Sequence, residues 1–227
     1  MKSLILLHGA LGAASQLEPL KKLLQSDFDV HILEFEGHGQ TYSDKPYSID
    51  LFVANLKSYL DLHQLKDVFV FGYSMGGYVA LKLAAQYPEY FSKIITLGTK
   101  FDWTPESAEK EIKMLNPEKI EEKVPAFAKM LNELHPANGW KTVMNKTADL
   151  MLHLGNADAT PDRLYQKIKT PCLIGVGDSD QMVTQEETKR IVSLIEHAEF
   201  YLLENTIHPI DRIDANKLAD LIKSKEN

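Results

Sequence analysis

The chain of 227 residues is poor in cysteine, and it has neither a long apolar run nor an excess of positive charge. Its single cysteine, Cys172, excludes an internal disulfide and lacks the partners of a cysteine-rich metal site. No apolar stretch approaches the length that spans a membrane, which is about 20 residues. The apolar residues after Lys2 stop at His8, too soon for the apolar region of a signal peptide. We therefore expect a soluble, cytoplasmic protein with no membrane partner.

The charge balance disfavours nucleic acid as a partner. The chain has 25 Lys and Arg against 32 Asp and Glu, a net charge of −7, and no basic run that could follow a phosphate backbone. With 44% hydrophobic residues, a chain of this length can bury one sizeable core with a small appended subdomain. These numbers predict a globular protein and leave its oligomeric state open.

Short apolar runs alternate with helical patterns, which predicts an α/β fold. The runs are almost continuously apolar, as expected for parallel strands that helices cover on both faces. The predicted strands lie near 4–7, 30–35, 68–71, 93–97, 172–176 and 200–203. Helix-start signals between them are Ser15 with Glu18, Ser48, Thr184 with Glu187, and Asp214.

The alternation stops between residues 100 and 169, where several short helices are predicted. Their start signals are Thr104-Pro105, Asn116-Pro117, Asn138 and Thr160-Pro161. Pro125 is expected to divide one of these helices. An insertion after a strand of an α/β sheet lies over the carboxyl ends of the strands, where ligands bind. The domain prediction is therefore a core at 1–99 and 170–227 with a helical lid at 100–169.

The most informative motif is the hexapeptide Gly-Tyr-Ser-Met-Gly-Gly at 72–77. It follows an apolar run and precedes a helical pattern, so it matches the strand-to-helix turn known as a nucleophile elbow. Gly72 and Gly76 lack a Cβ and let strand and helix approach closely on either side of Ser74. The helix N-terminus behind the serine offers unpaired N–H groups to an anionic intermediate.

A serine nucleophile needs a base, and the base needs an orienting acid. On this topology the order along the chain is Ser, acid, His, each in a loop after a strand. The fifth predicted strand runs into an acidic turn with Asp178 and Asp180, and the sixth runs towards His208. Asp102, after the fourth strand, is a third candidate acid. His197 precedes the last strand and lies at the wrong end of the sheet.

Together with Leu6-Leu7-His8-Gly9 and Gly37-His38-Gly39, these motifs resemble the α/β-hydrolase family over the whole chain. The resemblance implies a three-layer fold with a mostly parallel sheet of about six strands, in the order 4-3-5-6-7-8 in the family's labels. The hairpin that commonly opens the family's sheet is not expected, because the chain starts on the strand that leads to the oxyanion hole. The residue before the terminal histidine is often Gly in the family and is Ile207 here.

The resemblance also implies roles for individual residues. Asp180 takes the acid position, because the family's turn is Gly-x-x-Asp and Gly177 stands three residues earlier. The N–H groups of Met75 and Ala10 form the oxyanion hole, with Leu11 as the weaker alternative to Ala10. The implied catalytic triad is Ser74, Asp180 and His208.

Other residues have both a structural and a functional interpretation. His8 and His38 have no Asp, Glu or Cys at metal spacing, so structural hydrogen bonding is favoured and no metal is predicted. Methionines concentrate in the lid, where they either pack or contact apolar substrates. The candidates to bind substrate are Leu11, Phe101, Trp103 and Trp140.

The predicted function is a serine hydrolase that cleaves a carboxylic ester or related small acyl substrate and needs no cofactor. One alternative is a lyase similar to the cyclohexadiene-carboxylate synthase of the menaquinone pathway. Those enzymes share an Arg directly after the elbow, where this chain has Tyr78, and the difference disfavours this alternative. The other is a ligand-binding or signalling member of the family that keeps the triad and turns over slowly. The sequence leaves open the acyl chain, the alcohol and the type of bond.

Overall fold

Six strands form one sheet in the computed structural model, which describes residues 1–226 apart from the side chains at 157 and 158. The strands are β1 (Lys2–Leu7), β2 (Phe28–Leu33), β3 (Val68–Tyr73), β4 (Phe91–Leu97), β5 (Cys172–Gly177) and β6 (Ala198–Leu203). Their order is β2-β1-β3-β4-β5-β6, and every neighbouring pair is parallel. All six predicted strands and the strand order implied by the resemblance are confirmed.

Within residues 1–226, ten α-helices connect the strands and cover the sheet. They are α1 (Glu18–Leu24), α2 (Ile49–Leu62), α3 (Met75–Ala84), α4 (Pro105–Ile112), α5 (Pro117–Lys123), α6 (Pro125–Leu134), α7 (Trp140–His153), α8 (Asp162–Tyr165), α9 (Gln185–Leu194) and α10 (Ala215–Ser224). None of the helices in this described part combines the length and the apolar character that a membrane span requires.

The strands are apolar on both faces because helices pack against each face. In β1, Leu4 and Leu6 belong to a core that includes residues of α1 and α10. Ile5 and Leu7 belong to the opposite core, which includes residues of α2, α3 and α9. All four side chains are fully buried. The result is a three-layer α/β fold, and it explains why the strand sequences do not alternate between apolar and polar residues.

Most helices start where the sequence predicts them. The Ser48 hydroxyl accepts a hydrogen bond from the Leu51 N–H, and Thr184 forms a capping box with Glu187. Three more helices are capped in this way, by Thr104, Asn116 and Asp214.

Three predicted helix starts are wrong, and one of them is Thr160, because Pro161 takes the cap position of α8 and no side chain caps that helix. Ser15 lies in a short 3₁₀ turn, and the α-helix begins only at Glu18. A helix capped by Ser15 would need residue 19 to donate its N–H to the Ser15 carbonyl, and Pro19 has no N–H. Asn138 does not cap α7, because its side-chain oxygen accepts the N–H of Ser43 at 3.0 Å and Gly139 takes the cap position.

Between β4 and β5 the described chain contains helices and no strand. The insertion consists of α4 to α8 with a π-helical turn at Leu154–Asp158, and Pro125 separates α5 from α6 as predicted. Its inner helices share a small apolar core, to which Ile120, Leu131 and Met144 contribute. That this segment acts as a lid stays a prediction.

The carboxyl ends of the strands meet at one edge of the sheet. The strand register pairs Leu7 with Gly72 and Leu97 with Gly175. The loops after these strands therefore lie side by side, although they are far apart along the chain. Every residue of the predicted triad follows a strand at this edge.

Helix α3 passes so close to β1 that residue 76 has no room for a side chain. A Cβ on Gly76 would lie 2.6 Å from the Leu7 carbonyl oxygen and 2.8 Å from the His8 carbonyl oxygen. Both contacts are with backbone atoms, which cannot rotate away as a flexible side chain can. This glycine is therefore required by the packing of helix against strand.

We expect Gly76→Ala to lower the free energy of unfolding by about 3 kcal/mol, because the added methyl group forces the helix away from the strand. Asn132→Ala is the control, because Asn132 is exposed in helix α6 and an alanine there meets no strand. Surface substitutions of this kind usually change the free energy of unfolding by less than about 0.5 kcal/mol. Urea unfolding of both variants measures the difference. Equal losses would contradict the packing argument.

Candidate active site

Ser74 stands at the turn between β3 and α3 in a strained backbone conformation. Its φ is 49° and its ψ is −117°, values that non-glycine residues rarely adopt. The Ser74 N–H donates to the Leu97 carbonyl at 2.9 Å, and the Thr99 hydroxyl donates to the Ser74 carbonyl at 3.0 Å. These bonds to the last residue of β4 and to the loop after it hold the turn, and the serine hydroxyl lies at the edge of the sheet.

A chain of hydrogen bonds connects Ser74 to a histidine and a carboxylate. The Ser74 Oγ lies 3.4 Å from Nε2 of His208, and His208 Nδ1 lies 2.8 Å from Oδ2 of Asp180. The Asp180 side chain is 2% exposed, and that of His208 is 18% exposed. With an ionised Asp180, Nδ1 carries the proton and Nε2 is free to accept one from Ser74. The three sequence-predicted residues therefore lie together.

The surroundings of Asp180 keep its carboxylate ionised. Burial alone would raise the pKa of Asp180, but the hydrogen bond and charge interaction with His208 and the backbone N–H groups of Val183 and Met182 outweigh burial and lower it. The N–H groups of Met182 and Val183 donate to Oδ1 at 2.8 and 2.9 Å. Asp180 can thus orient the imidazole and stabilise a positive charge on it.

The two rival acids have other partners. The carboxylate of Asp178 accepts the N–H groups of Asn205 and Thr206 at 2.8 and 3.0 Å, so it fixes the loop that leads to His208. Asp102 is half-exposed and forms an ion pair with Arg190 at 2.6 Å. Among the three candidate acids, Asp180 is the one that contacts the histidine.

Tyr73 and Gly98, two residues that position His208, were not predicted from the sequence. The Tyr73 hydroxyl donates to the His208 carbonyl at 2.7 Å. Gly98 has a φ of 63°, and a Cβ there would lie 3.3 Å from both Asp180 Oδ2 and His208 Nδ1. A glycine directly after a predicted strand is a sequence signal for a turn with positive φ, and Gly98 carries that signal. No local signal marks Tyr73, because its partner lies 135 residues away in the chain.

The loop after β1 forms a tight turn next to the serine. The Gly12 N–H donates to the Gly9 carbonyl at 3.1 Å, and Leu11 inside the turn has a positive φ of 56°. His8 supports the turn from below. Its Nε2 accepts the Phe35 N–H at 3.1 Å, so its Nδ1 carries the proton and donates to the Gly9 carbonyl at 2.9 Å. The predicted structural hydrogen bonding of His8 is thus present.

The Met75 N–H lies at the first residue of helix α3. Helix α3 begins at Met75, so this N–H has no partner within the helix. It belongs to the residue directly after Ser74, at the positive end of the helix dipole. That the N–H groups of Met75 and Ala10 form an oxyanion hole stays a prediction.

A cavity of about 820 Å³ opens beside Ser74 and His208. Most of the lining residues are apolar, and they come from the helical insertion, from α2 and α3, and from the loops at the carboxyl ends of the strands. Representative members are Leu11, Ile49, Trp103, Met114, Leu150 and Met151. The predictions for Leu11 and Trp103 as lining residues agree with this geometry.

Phe101 and Trp140 do not line the cavity, which corrects the sequence-based expectation. Phe101 is 4% exposed and packs against Tyr78 and Tyr165. Trp140 is buried in the small core of the insertion, where it packs in the same cluster as Met144. Phe101 therefore packs the insertion against α3, and Trp140 packs the helices of the insertion against one another.

One ion pair lies in the cavity wall, whose other polar lining residues are Lys110, Lys113, Gln181, Ser74 and His208. Lys100 Nζ is 3.6 Å from Glu111 Oε1, and the Lys100 ammonium also donates to the Met182 carbonyl at 3.2 Å. The two side chains are 11% and 16% exposed. Glu111 is the single carboxylate among the described lining residues, and it is already paired.

Three buried histidines lie close to one another beneath the loop after β1. The ring centroids of His8 and His38 are 5.1 Å apart, and those of His38 and His135 are 5.9 Å apart. Burial, with a smaller contribution from His135, lowers the pKa of His8 to about 4. Burial lowers the pKa of His38 and His135 as well. Among the described residues, no three His, Cys, Asp or Glu side chains are arranged as metal ligands.

The chain belongs to the α/β hydrolase family. The family model described as alpha/beta hydrolase fold matches residues 2–129. The fold, with helices on both sides of a six-stranded parallel sheet, agrees with this assignment.

Individual relatives are hydrolases by name. The chain is 26% identical to a proline iminopeptidase, PfmaB, from Pestalotiopsis fici, over 95% of this chain and 88% of that protein. It shares the fold of an esterase from Exiguobacterium antarcticum with a TM-score of 0.80 and 18% identity, over 99% of this chain and 91% of the other. A putative lipase from Acinetobacter baumannii superposes with a TM-score of 0.81 and 18% identity, over 99% and 85%.

We expect the stability of the protein to fall as the pH falls from about 6.5 towards 4. An unfolded chain has an ordinary His8 pKa near 6.5 and binds a proton in this window, whereas the folded chain, with a pKa of about 4, does not. Stability therefore rises with pH across the window, and His8 contributes up to about 3 kcal/mol of the change.

The measurement is urea unfolding at pH 7 and at pH 5. His8→Gln is expected to flatten the dependence of the free energy of unfolding on pH, whatever its effect on absolute stability. His63→Gln, which removes an exposed histidine, is the control and should leave the dependence unchanged. An unaltered slope in the His8 variant would refute this assignment.

Proposed function

We propose that this protein is a serine hydrolase that cleaves carboxylic esters of apolar acyl groups through an acyl-enzyme intermediate. The observation that carries the proposal is the hydrogen-bonded chain from Ser74 through His208 to Asp180. The 3.4 Å contact between nucleophile and base is at the long end of the range, and such contacts commonly tighten in the complex with substrate. Membership of a hydrolase family supports the same reaction class.

The first half of the reaction forms the acyl-enzyme. Nε2 of His208 removes the proton from Ser74 as Oγ attacks the ester carbonyl, and the N–H groups of Met75 and Ala10 bind the oxyanion. His208 then gives the proton to the leaving alcohol, and the carbon–oxygen bond of the ester breaks. Throughout, Asp180 holds the Nδ1 proton and stabilises the imidazolium.

The second half returns the enzyme to its starting state. His208 removes a proton from water, and the hydroxide attacks the acyl carbonyl on the same face of the site. Collapse of the second oxyanion releases the carboxylic acid and restores the Ser74 hydroxyl with the proton from His208. The balance is one ester and one water in, one acid and one alcohol out, and no step needs a metal or an organic cofactor.

Peptide hydrolysis is a second candidate, because one relative over most of the chain is named a proline iminopeptidase. The same residues could cleave an amide bond. A substrate with a free amino terminus needs an anionic partner, however, and the carboxylate of Glu111 in the cavity wall is paired with Lys100. This argument favours an ester with an uncharged acyl group, and assay of an N-terminal proline anilide distinguishes the two candidates.

Ser74→Ala is expected to lower the turnover of p-nitrophenyl butyrate by about 10⁴-fold or more, because no other group can form the acyl-enzyme. It should also abolish labelling by a fluorophosphonate. Ser26→Ala, at an exposed serine, is the matched control and should retain full activity. Equal turnover by Ser74→Ala and the wild type would refute the proposed role of Ser74. Labelling of Ser74 without measurable ester turnover would instead favour the slow-turnover alternative.

The apolar cavity predicts a preference for longer acyl chains. Each methylene buried in it contributes about 0.8 kcal/mol, so kcat/KM should rise about fourfold per carbon from the acetyl ester until the cavity is filled. A series of p-nitrophenyl esters measures this rise. The control series keeps the acyl group fixed and varies the alcohol, and it should show a much smaller dependence on length. An acetyl ester that reacts fastest would contradict the prediction.

A further inference from the structure

His135 has both of its ring nitrogens bound to the backbone of two distant loops. It follows α6 in the helical insertion and is 1% exposed. Its Nδ1 accepts the N–H of Gly39 at 3.0 Å. An accepting Nδ1 leaves the proton of the neutral ring on Nε2, which donates to the Leu11 carbonyl at 2.9 Å.

The acceptor of the second bond lies in a strained turn. Leu11 has a φ of 56°, which costs free energy for a residue with a Cβ, and the turn is closed by the Gly12 N–H bonded to the Gly9 carbonyl. Such a conformation persists only when its surroundings hold it. The hydrogen bond from His135 fixes the direction of the Leu11 carbonyl, and with it the backbone that continues from Ala10.

The insertion and the turn are also joined by side-chain packing. Leu11 packs against the small core formed by α5, α6 and α7 and against the larger core below the sheet. His135 therefore acts at the place where the insertion meets the loop after β1. Removing its ring takes this donor from the Leu11 carbonyl in a half-buried turn, which favours a change in the turn.

We propose that His135 is a positioning residue that holds the Gly9–Gly12 turn so that the Ala10 N–H points at the oxyanion. This inference rests on the proposed function, because it presupposes that an oxyanion forms at Ser74. His135 does not touch the reacting atoms, and it acts through the Leu11 carbonyl. Its neutral ring is needed in one tautomer, with a donor towards Leu11 and an acceptor towards Gly39.

Two substitutions separate the two hydrogen bonds. His135→Gln places an amide N–H near the position of Nε2 and keeps the donor to Leu11, whereas His135→Asn places an oxygen near Nδ1 and keeps the acceptor for Gly39. We expect His135→Asn to lower kcat about tenfold with little change in KM. That is less than the 10²–10³-fold lost when an oxyanion donor is removed outright. His135→Gln should recover most of the loss.

Inhibition by a transition-state analogue distinguishes a positioning role from a purely structural one, because loss of a purely structural residue would not selectively weaken binding of the oxyanion. An alkyl trifluoromethyl ketone forms a tetrahedral oxyanion with the serine, and the matching methyl ketone does not do so appreciably. His135→Asn should weaken inhibition by the trifluoromethyl ketone about tenfold and leave binding of the methyl ketone within twofold. Thermal unfolding of both variants shows whether they are folded at the assay temperature.

Leu11→Gly gives a second test, which does not depend on the inhibitor. Glycine adopts a positive φ without cost, so the turn should depend less on His135 in this background. The effects of Leu11→Gly and His135→Asn on kcat should therefore be less than additive. Equal inhibition of the wild type and both His135 variants by the trifluoromethyl ketone, or additive effects on kcat, would overturn the inference. Such a result with Ser74→Ala inactive would leave the proposed function standing, whereas an active Ser74→Ala would remove both.

Discussion

The backbone of Ser74 joins a buried strand to a helix that is buried except at Lys82, with no residue in between. Its positive φ is held by a hydrogen bond from its own N–H to Leu97 and by the hydroxyl of Thr99 on its carbonyl. The sharp reversal allows α3 to run back along the sheet within contact of β1, where Gly76 meets the carbonyl of Leu7. The positions of the nucleophile, of the free Met75 amide and of the neighbouring strand ends all follow from this one turn.

The remaining groups of the site are brought to the serine by a second constraint, the parallel register of the sheet. Because β3, β4, β5 and β6 end at the same edge, their loops can exchange hydrogen bonds. Asp178 fixes the loop before His208, and Tyr73 binds the carbonyl of His208 itself. The backbone that carries the imidazole is thus fixed both at Asn205, before His208, and at His208 itself. Its orientation depends on backbone contacts as much as on its bond to Asp180.

Much of this arrangement could be predicted from local sequence patterns. The continuous apolar runs give the strands, and capping residues such as Ser48 and Thr184 give the helix starts, because each signal acts over a few residues. The elbow and the order of the acid and histidine loops are equally local. Ser15 does not cap a helix despite its local pattern, because a proline four residues later removes the hydrogen bond that a cap there requires.

The rest depends on contacts between distant segments, and no short-range pattern encodes them. The bond of Tyr73 to His208 and the bonds of His135 to Leu11 and Gly39 span from 96 to 135 residues. The pocket wall illustrates the same limit. Phe101 and Trp140 are aromatic residues of the kind that often line pockets. In the structure, Phe101 stacks on Tyr78 of α3, and Trp140 is buried in the small core of the insertion.

Tyr78 connects the helical insertion to the helix that follows the nucleophile. Its ring is buried in α3, one turn beyond the serine, and its hydroxyl accepts the N–H of Thr160 at 2.6 Å near the end of the insertion. Loosening the helices from α4 to α8 would leave this phenol and that amide without partners in an apolar setting. This bond therefore couples the stability of the insertion to that of the helix that carries the nucleophile.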